Sequence, residues 1–231
     1  MLSLGIVLLI SYLIGSIPSS LWTGRFVHKI DIRDYGSGNA GATNTFRILG
    51  WKSGTFVLLF DFSKGLVCTL FVSNLAYDIG SGPIQLLPNW DVDASLVILC
   101  GMMAVVGHMY PIFAGFIGGK GAATAAGMLY GVEPLSISIT LVVFILVIYF
   151  SRYVSLGSIV ASAIYPISQL ILRYVFGWEI DGSIIIFSSL VALGIIIKHK
   201  ANIKRLAEGT ESKVESFKPG KGKLQKEGIS K

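Results

Sequence analysis

The sequence predicts an all-helical integral membrane protein, a bundle of about seven transmembrane helices, and three observations carry that expectation. Hydrophobic residues make up 53% of the 231 and charged residues 14%, where an ordinary soluble domain carries about 25% charged. Apolar runs recur at lengths that suit the roughly 20 residues a helix needs to cross a bilayer core. The remaining charges are sorted, because 17 of the 19 Lys and Arg fall in alternate connections or the C-terminal segment.

In chain order, helices are expected near 2–23, 54–77, 94–116, 122–132, 134–150, 158–176 and 183–198. The first lacks the basic n-region and A-x-A site of a signal peptide, so it reads as a membrane helix. The fourth is short, and only Gly131 to Pro134 separate it from the fifth, so this pair reads as a hairpin that crosses marginally. Basic residues Arg25, Lys29, Arg33, Arg47 and Lys52 share one side with Lys120, Arg152 and ten more from Lys198 onward. Asp78, Asp91, Asp93, Glu133, Glu179 and Asp181 fall on the other. Basic loops stay cytoplasmic, which puts the N-terminus outside and the C-terminus inside. Lys64 and Arg173 lie within predicted helices. Asp61 and Lys64 are three positions apart, a spacing that allows them to pair on one helix face. Part of the net charge of +6 also suits anionic lipid. Cys68 and Cys100 sit in apolar runs without metal or redox spacing and read as buried thiols.

Four polar segments gather on the basic side. The first, Gly36 to Arg47, reads GSGNAGATNTFR. It contains G-x-G-x-x-G, but no buried strand precedes it, and the acid that follows, Asp61, lies in a membrane helix, so a dinucleotide site is rejected. A plain loop needs Gly and Asn for turns; it does not need Ser37, Asn39, Thr43, Asn44 and Arg47 together. The second, Gly115 to Thr124, places glycines around Lys120, so that backbone N–H groups and one ammonium can surround phosphate oxygens. Walker A spacing fails, because Ala114 and Gly121 stand where Gly and Ser or Thr are required. Thr124 opens the next helix, whose N-terminus favours an anion.

The third segment carries Arg152, Ser155 and Ser158, and a snorkelling arginine accounts for Arg152 equally well. The fourth follows the last helix, with His199 and Asn202 three apart and on one face if the helix continues. Alone it reads as a basic interfacial helix. Together the four offer cations, backbone donors and a histidine to an anionic, phosphorylated substrate with a lipid-like partner.

These residues resemble the bacterial acyl-phosphate:glycerol-3-phosphate acyltransferase family. The resemblance rests on Ser37 to Arg47, on Gly118, Gly119, Lys120 and Gly121 through Thr124, on Val154 to Leu156, and on His199 to Glu211. DFSKG at Asp61 to Gly65 and GHMYP at Gly107 to Pro111 add to it. Ile117 departs from the pattern, since members commonly carry lysine there, and this reduces the charge available to a donor. The likeness covers about residues 1–213, one transmembrane acyltransferase domain, and leaves 214–231 as a flexible basic cytoplasmic tail.

The resemblance implies seven membrane helices, no metal or nucleotide cofactor, and transfer of a fatty acyl group to the sn-1 hydroxyl of glycerol 3-phosphate. Lysophosphatidic acid and phosphate would be the products, made at the cytoplasmic face of the bacterial inner membrane. Implied partners are glycerol 3-phosphate, fatty acyl phosphate, membrane lipid and the soluble enzyme that supplies acyl phosphate, with no nucleic acid. Ser37, Arg47, Lys120, His199 and Asn202 are the expected catalytic set. Asn39, Gly41, Thr43, Asn44, Gly118, Gly119, Gly121, Thr124, Arg152, Ser155 and Glu211 are expected to bind substrate.

A transporter of a phosphorylated metabolite is the alternative from another class. It predicts internal repeats and a midplane site, whereas no repeat is evident and the motifs gather at one face. Acyltransfer through His-x4-Asp is excluded, since Arg33, Phe113 and Lys204 follow His28, His108 and His199 at that spacing. A metal site from those histidines lacks close spacing and carboxylate partners.

Overall fold

The computed structural model describes residues 2–79, 92–214, 220 and 222–226, and among them every regular element is helical. Asp91, expected on the acidic side, lies outside the described residues, as does much of the segment after Val214. The chain forms α1 (Leu2–Gly15), α2 (Ser19–Trp22), α3 (Ala42–Leu49), α4 (Trp51–Val67), α5 (Leu75–Asp78) and α6 (Val92–Met109). After these come α7 (Ala122–Val132), α8 (Pro134–Ser151), α9 (Val154–Tyr174), α10 (Gly182–Lys198), α11 (Lys200–Ala207) and α12 (Lys223–Lys226). Five spans are long and apolar enough to cross a membrane, and a sixth exists if α10 and α11, bent by 56°, count as one. Helix α7 has only 11 residues, which leaves it the least able of the expected seven to cross.

The first expected helix is broken. Pro18 has no N–H to continue α1, so the chain restarts at Ser19 and passes through a π-turn at Thr23–Val27. Carbonyls at such a break need donors. The Lys64 ammonium, from α4, donates to the Gly15 and Ile17 carbonyls at 3.1 and 3.0 Å. Helix α8 is started by Glu133, whose carboxylate accepts from the N–H groups of Leu135 and Ser136, with Pro134 at the first helical position.

Helix pairs α4–α7, α8–α9, α1–α6, α3–α4 and α9–α10 make the main contacts. One apolar cluster joins α6 to α10 through Ile98, Met128, Tyr165 and Val191, and a second joins α1 and α6 to the π-turn that follows α4, around Val7, Cys68 and Ala104. The α4–α7 pair packs backbone to backbone. A Cβ on Gly65 would overlap the Thr124 carbonyl, and one on Gly127 would overlap that of Phe62. Small residues allow such approach where lipid offers helices no hydrophobic drive to associate. Large residues such as Leu9, Phe71 and Phe150 remain exposed, as a lipid-facing surface requires. The two cysteines are free and buried.

Candidate active site

The four polar segments meet at one end of the bundle, around a cavity of about 780 Å³. The first segment is a loop only as far as Gly41. From Ala42 it is helix α3, because ATNTFRIL puts Asn44, Thr45, Ile48 and Leu49 on a buried face. Asn44 is 1% exposed and commits its amide to the loop. Its Nδ2 donates to the carbonyls of Ile32 and Tyr35 at 3.2 and 3.0 Å, and its Oδ1 accepts from the Ser37 N–H at 3.0 Å. That folded loop presents Ser37, Asn39 and Gly41 to the cavity, and α3 presents Thr43, Asn44 and Arg47.

Lys120 reaches the cavity from the second segment and donates a hydrogen bond to the Asn202 side-chain oxygen. Asn202 Nδ2 donates to Glu211 Oε1 at 2.7 Å, and Ser155 Oγ donates to the same oxygen at 2.9 Å. Arg205 Nε donates to Glu211 Oε2 at 2.7 Å. One carboxylate therefore gathers the start of α9, helix α11 and, through Asn202, the glycine loop. Burial pushes the Glu211 carboxyl up, but the hydrogen bonds from Asn202, Arg205 and Ser155 outweigh it and hold its pKa below the ordinary value. Lys120 moves the other way. Its burial, aided by the cations Arg205 and Arg47 and opposed by Glu211, lowers its pKa to about 8.

The expected shared face of His199 and Asn202 survives a kink. Helix α10 ends at Lys198, His199 caps it, and α11 restarts at Lys200, yet both side chains are buried and line the cavity. His199 Nδ1 lies 2.8 Å from the Ile195 carbonyl, an acceptor only, so Nδ1 carries the proton and Nε2 is left as the acceptor. Burial lowers the His199 pKa to about 4, so the ring is neutral at physiological pH.

Gly121, Ser155 and Glu211 also line the cavity, whereas Gly118, Gly119, Thr124 and Arg152 do not. Thr124 is fully buried in the α4–α7 contact. Arg152 is the left-handed C-cap of α8, φ 66°, where its carbonyl accepts from the Val214 N–H at 2.8 Å. Gly118 and Gly119 rest on His108, whose carbonyl accepts from the Gly119 N–H at 3.1 Å; a Cβ on Gly119 would collide with the His108 ring. Ile117 is 63% exposed and is not a lining residue, so this departure from the family pattern does not alter the cavity wall.

Sequence reasoning did not name Arg205, Asp61 or His108 as site residues, and all three line the cavity. Asp61 and Lys64 do pair, at 2.8 Å, and both are at least 97% buried. Lys64 Nζ also lies 3.2 Å from His108 Nδ1, and Ser19 Oγ donates to Asp61 Oδ1 at 2.7 Å. The DFSKG and GHMYP motifs were the available signal; what they lacked was any hint that α4 and α6 bring them together beneath the glycine loop. Among the described residues no cluster of His, Cys, Asp and Glu suits a metal.

The cavity continues from this cationic end between Leu58 and Phe62 of α4, Leu129 of α7, Phe144 of α8, Tyr165 of α9 and Val191 of α10. A charged head and an apolar chain can thus be held in one space.

Comparison with known proteins agrees with this arrangement. A family model described as glycerol-3-phosphate acyltransferase matches residues 5–209. The glycerol-3-phosphate acyltransferase of Salinibacter ruber is 47% identical over 227 residues, covering 97% of this chain and 98% of the relative. That of Chlorobium chlorochromatii is 44% identical over 233 residues, covering 93% and 98%. Two crystal structures of PlsY, an integral membrane glycerol 3-phosphate acyltransferase, are also similar. Its glycerol 3-phosphate form gives a TM-score of 0.72 at 32% identity, covering 92% of this chain and 96% of that one. Its lysophosphatidic acid form gives 0.73 at 33%, covering 91% and 95%.

Proposed function

This chain belongs to the glycerol-3-phosphate acyltransferase family and is a multi-pass membrane acyltransferase, and from that premise we propose that its acyl donor is a fatty acyl phosphate. The product would be lysophosphatidic acid, the acyl ester of the sn-1 hydroxyl, with inorganic phosphate as the leaving group. One observation carries the reading: the cavity joins a cluster of Arg47, Lys120 and Arg205 to a long apolar cleft. An acyl phosphate has a phosphate for the first and a fatty chain for the second.

The glycerol hydroxyl oxygen attacks the acyl carbon, the bond from that carbon to the phosphate oxygen breaks, and the hydroxyl proton passes to a phosphate oxygen. Acyl phosphate is already activated, so neither a covalent enzyme intermediate nor a metal or nucleotide is required. The barrier left to the protein is repulsion between two phosphates, which Lys120 and Arg47 offset by electrostatic stabilisation, and alignment, which proximity supplies. His199 and Asn202 orient glycerol 3-phosphate. Ser37, Asn39, Gly41 and Thr43 bind phosphate and hydroxyl oxygens, while Gly121, Ser155 and Glu211 fix the opposite wall. Asn44 lines the cavity and holds the loop through its side-chain amide, while Gly118, Gly119, Thr124 and Arg152 act through the backbone that carries the others.

We place the N-terminus outside, the C-terminus inside, and α7 as a seventh, short crossing, because the basic connections share one side. The cavity mouth then faces the cytoplasm of a bacterial inner membrane, where a soluble enzyme can deliver acyl phosphate. Residues 1–213 form the catalytic domain, and 214–231 are its C-terminal appendage.

The test is phosphate release from purified protein in liposomes. Release from acyl phosphate that depends on glycerol 3-phosphate is the expected result. Activity with acyl-CoA or acyl carrier protein and none with acyl phosphate would reject the donor.

A further inference from the structure

The chain continues past residue 209, where the match to the family model ends, and part of it is seated on α3 and the start of α4. The Gly220 carbonyl accepts a hydrogen bond from the Trp51 N–H at 3.2 Å. Gly222 lies so close to the backbone of Ile48 and Gly50 that a Cβ there would overlap the Ile48 carbonyl. Leu224 is 4% exposed, in an apolar cluster with Leu21, Ile32, Ala40, Ile48 and Leu49. A solvated basic tail needs none of these contacts. Together they hold the backbone on both sides of Lys223, and Lys223 lines the same cavity as Ser37 and Arg47.

We infer that Lys223 is a further anion-binding residue of this cavity, held there by the docked C-terminal segment, and that its ligand is the phosphate dianion of a substrate. The inference rests on the reading above of two phosphate-bearing substrates. Each phosphate brings about 1.5 to 2 negative charges at neutral pH. Against them stand Arg47, Lys120 and Arg205, with Glu211 subtracting from their charge, while Asp61 and Lys64 neutralise each other. A fourth cation reduces that deficit. Lys223 is itself an exposed residue, so salt screens it and its effect falls on affinity. Glycerol 3-phosphate and acyl phosphate present the same group, and kinetics separates them.

In the full chain, Lys223→Ala should raise the KM of one of the two substrates about fivefold, with kcat within about twofold, and the effect should shrink in high salt. The substrate whose KM moves identifies the phosphate. Lys223→Arg should restore affinity. Leu224→Ser, which loosens the segment, should give the same KM rise, and the double variant no more than either. Lys52→Ala removes an exposed neighbouring cation that does not line the cavity and should leave both KM values unchanged. Unaltered KM values for both substrates in Lys223→Ala would overturn the inference, as would an equal rise in Lys52→Ala. Calorimetric binding of glycerol 3-phosphate and of inorganic phosphate needs no turnover. There Lys223→Ala should weaken at least one ligand about fivefold, and affinities for both ligands unchanged from the unsubstituted protein would overturn the inference even if the donor proved not to be acyl phosphate.

Discussion

Lys120 donates a hydrogen bond to Asn202 across 82 residues of sequence. That contact couples the glycine loop after α6 to the short helix after α10, so the loop cation and the His199–Asn202 pair work on one substrate volume.

Removing the cation should therefore do more than remove charge. Lys120→Ala and Arg47→Ala should each lower kcat/KM at least about 100-fold in folded protein, the scale of losing a preorganised electrostatic contact. Lys120→Arg should remain strongly impaired, because a planar fork does not replace a compact ammonium in a tight loop. Steady-state kinetics on protein with unchanged elution from a sizing column checks this. Near-normal values in either alanine variant would remove that residue from the site.

A pH dependence follows from the lowered Lys120 pKa. With the ammonium deprotonating at about 8, phosphate affinity should be full below that pH and fall as pH rises through it. KM should then climb about tenfold per unit in the free enzyme, the slope of one required proton. Stability runs the opposite way. The unfolded chain binds this proton more tightly, so the penalty is complete below about 8 and is relieved as pH rises toward 10.5. Residual activity in Lys120→Arg should lack the KM rise.

His199 should orient rather than accept the proton. A ring whose pKa lies at about 4 is a weak base, and its Nδ1–H is already given to Ile195. His199→Gln keeps a donor and an acceptor, so it should retain about tenfold more activity than His199→Ala. Equal, near-total loss in both with substrate binding intact would assign the base to His199.

The buried Asp61–Lys64 pair should behave as structure beneath the site. Asp61→Asn leaves an ammonium at 3% exposure without its counter-charge and should cost about 3 kcal/mol, read as a lower melting temperature in detergent. Asp61→Asn with Lys64→Met removes both charges but leaves the Gly15 and Ile17 carbonyls without their donor, so recovery should be partial. Full recovery would show that the pair matters only as charge.

Topology can be read with introduced cysteines, since Cys68 and Cys100 are buried. Cysteines at Asn39 and Gly220 should resist an impermeant reagent on intact cells, and one at Asn89, outside the described residues, should react. Labelling at position 39 from outside would overturn the cytoplasmic mouth.

The helical membrane class, the positions of the long apolar helices and the polar motifs were legible in the sequence because hydropathy, charge and short spacings are local quantities. Helix α3, whose segment read as a loop, was not. Length alone marked 122–132 as a doubtful crossing, and α7 is short. Tertiary structure decided the partners. Asn44 and Ser37 belong to one motif and both line the cavity, yet only Asn44 also ties the loop together, because a buried amide is satisfied by whichever carbonyls the fold brings to it. Arg152 was open between lipid and site, and its position as the left-handed cap of α8 keeps it out of the cavity wall. Packing α4 and α6 against the break in α1 gathered Lys64, Asp61 and His108 under Gly119, and no spacing within one helix encodes that meeting. Leu224 reads as part of a solvated tail until Ile48 and Leu49 supply the apolar surface it covers. Burial and hydrogen-bond satisfaction depend on what arrives from elsewhere in the chain, which a single sequence does not list.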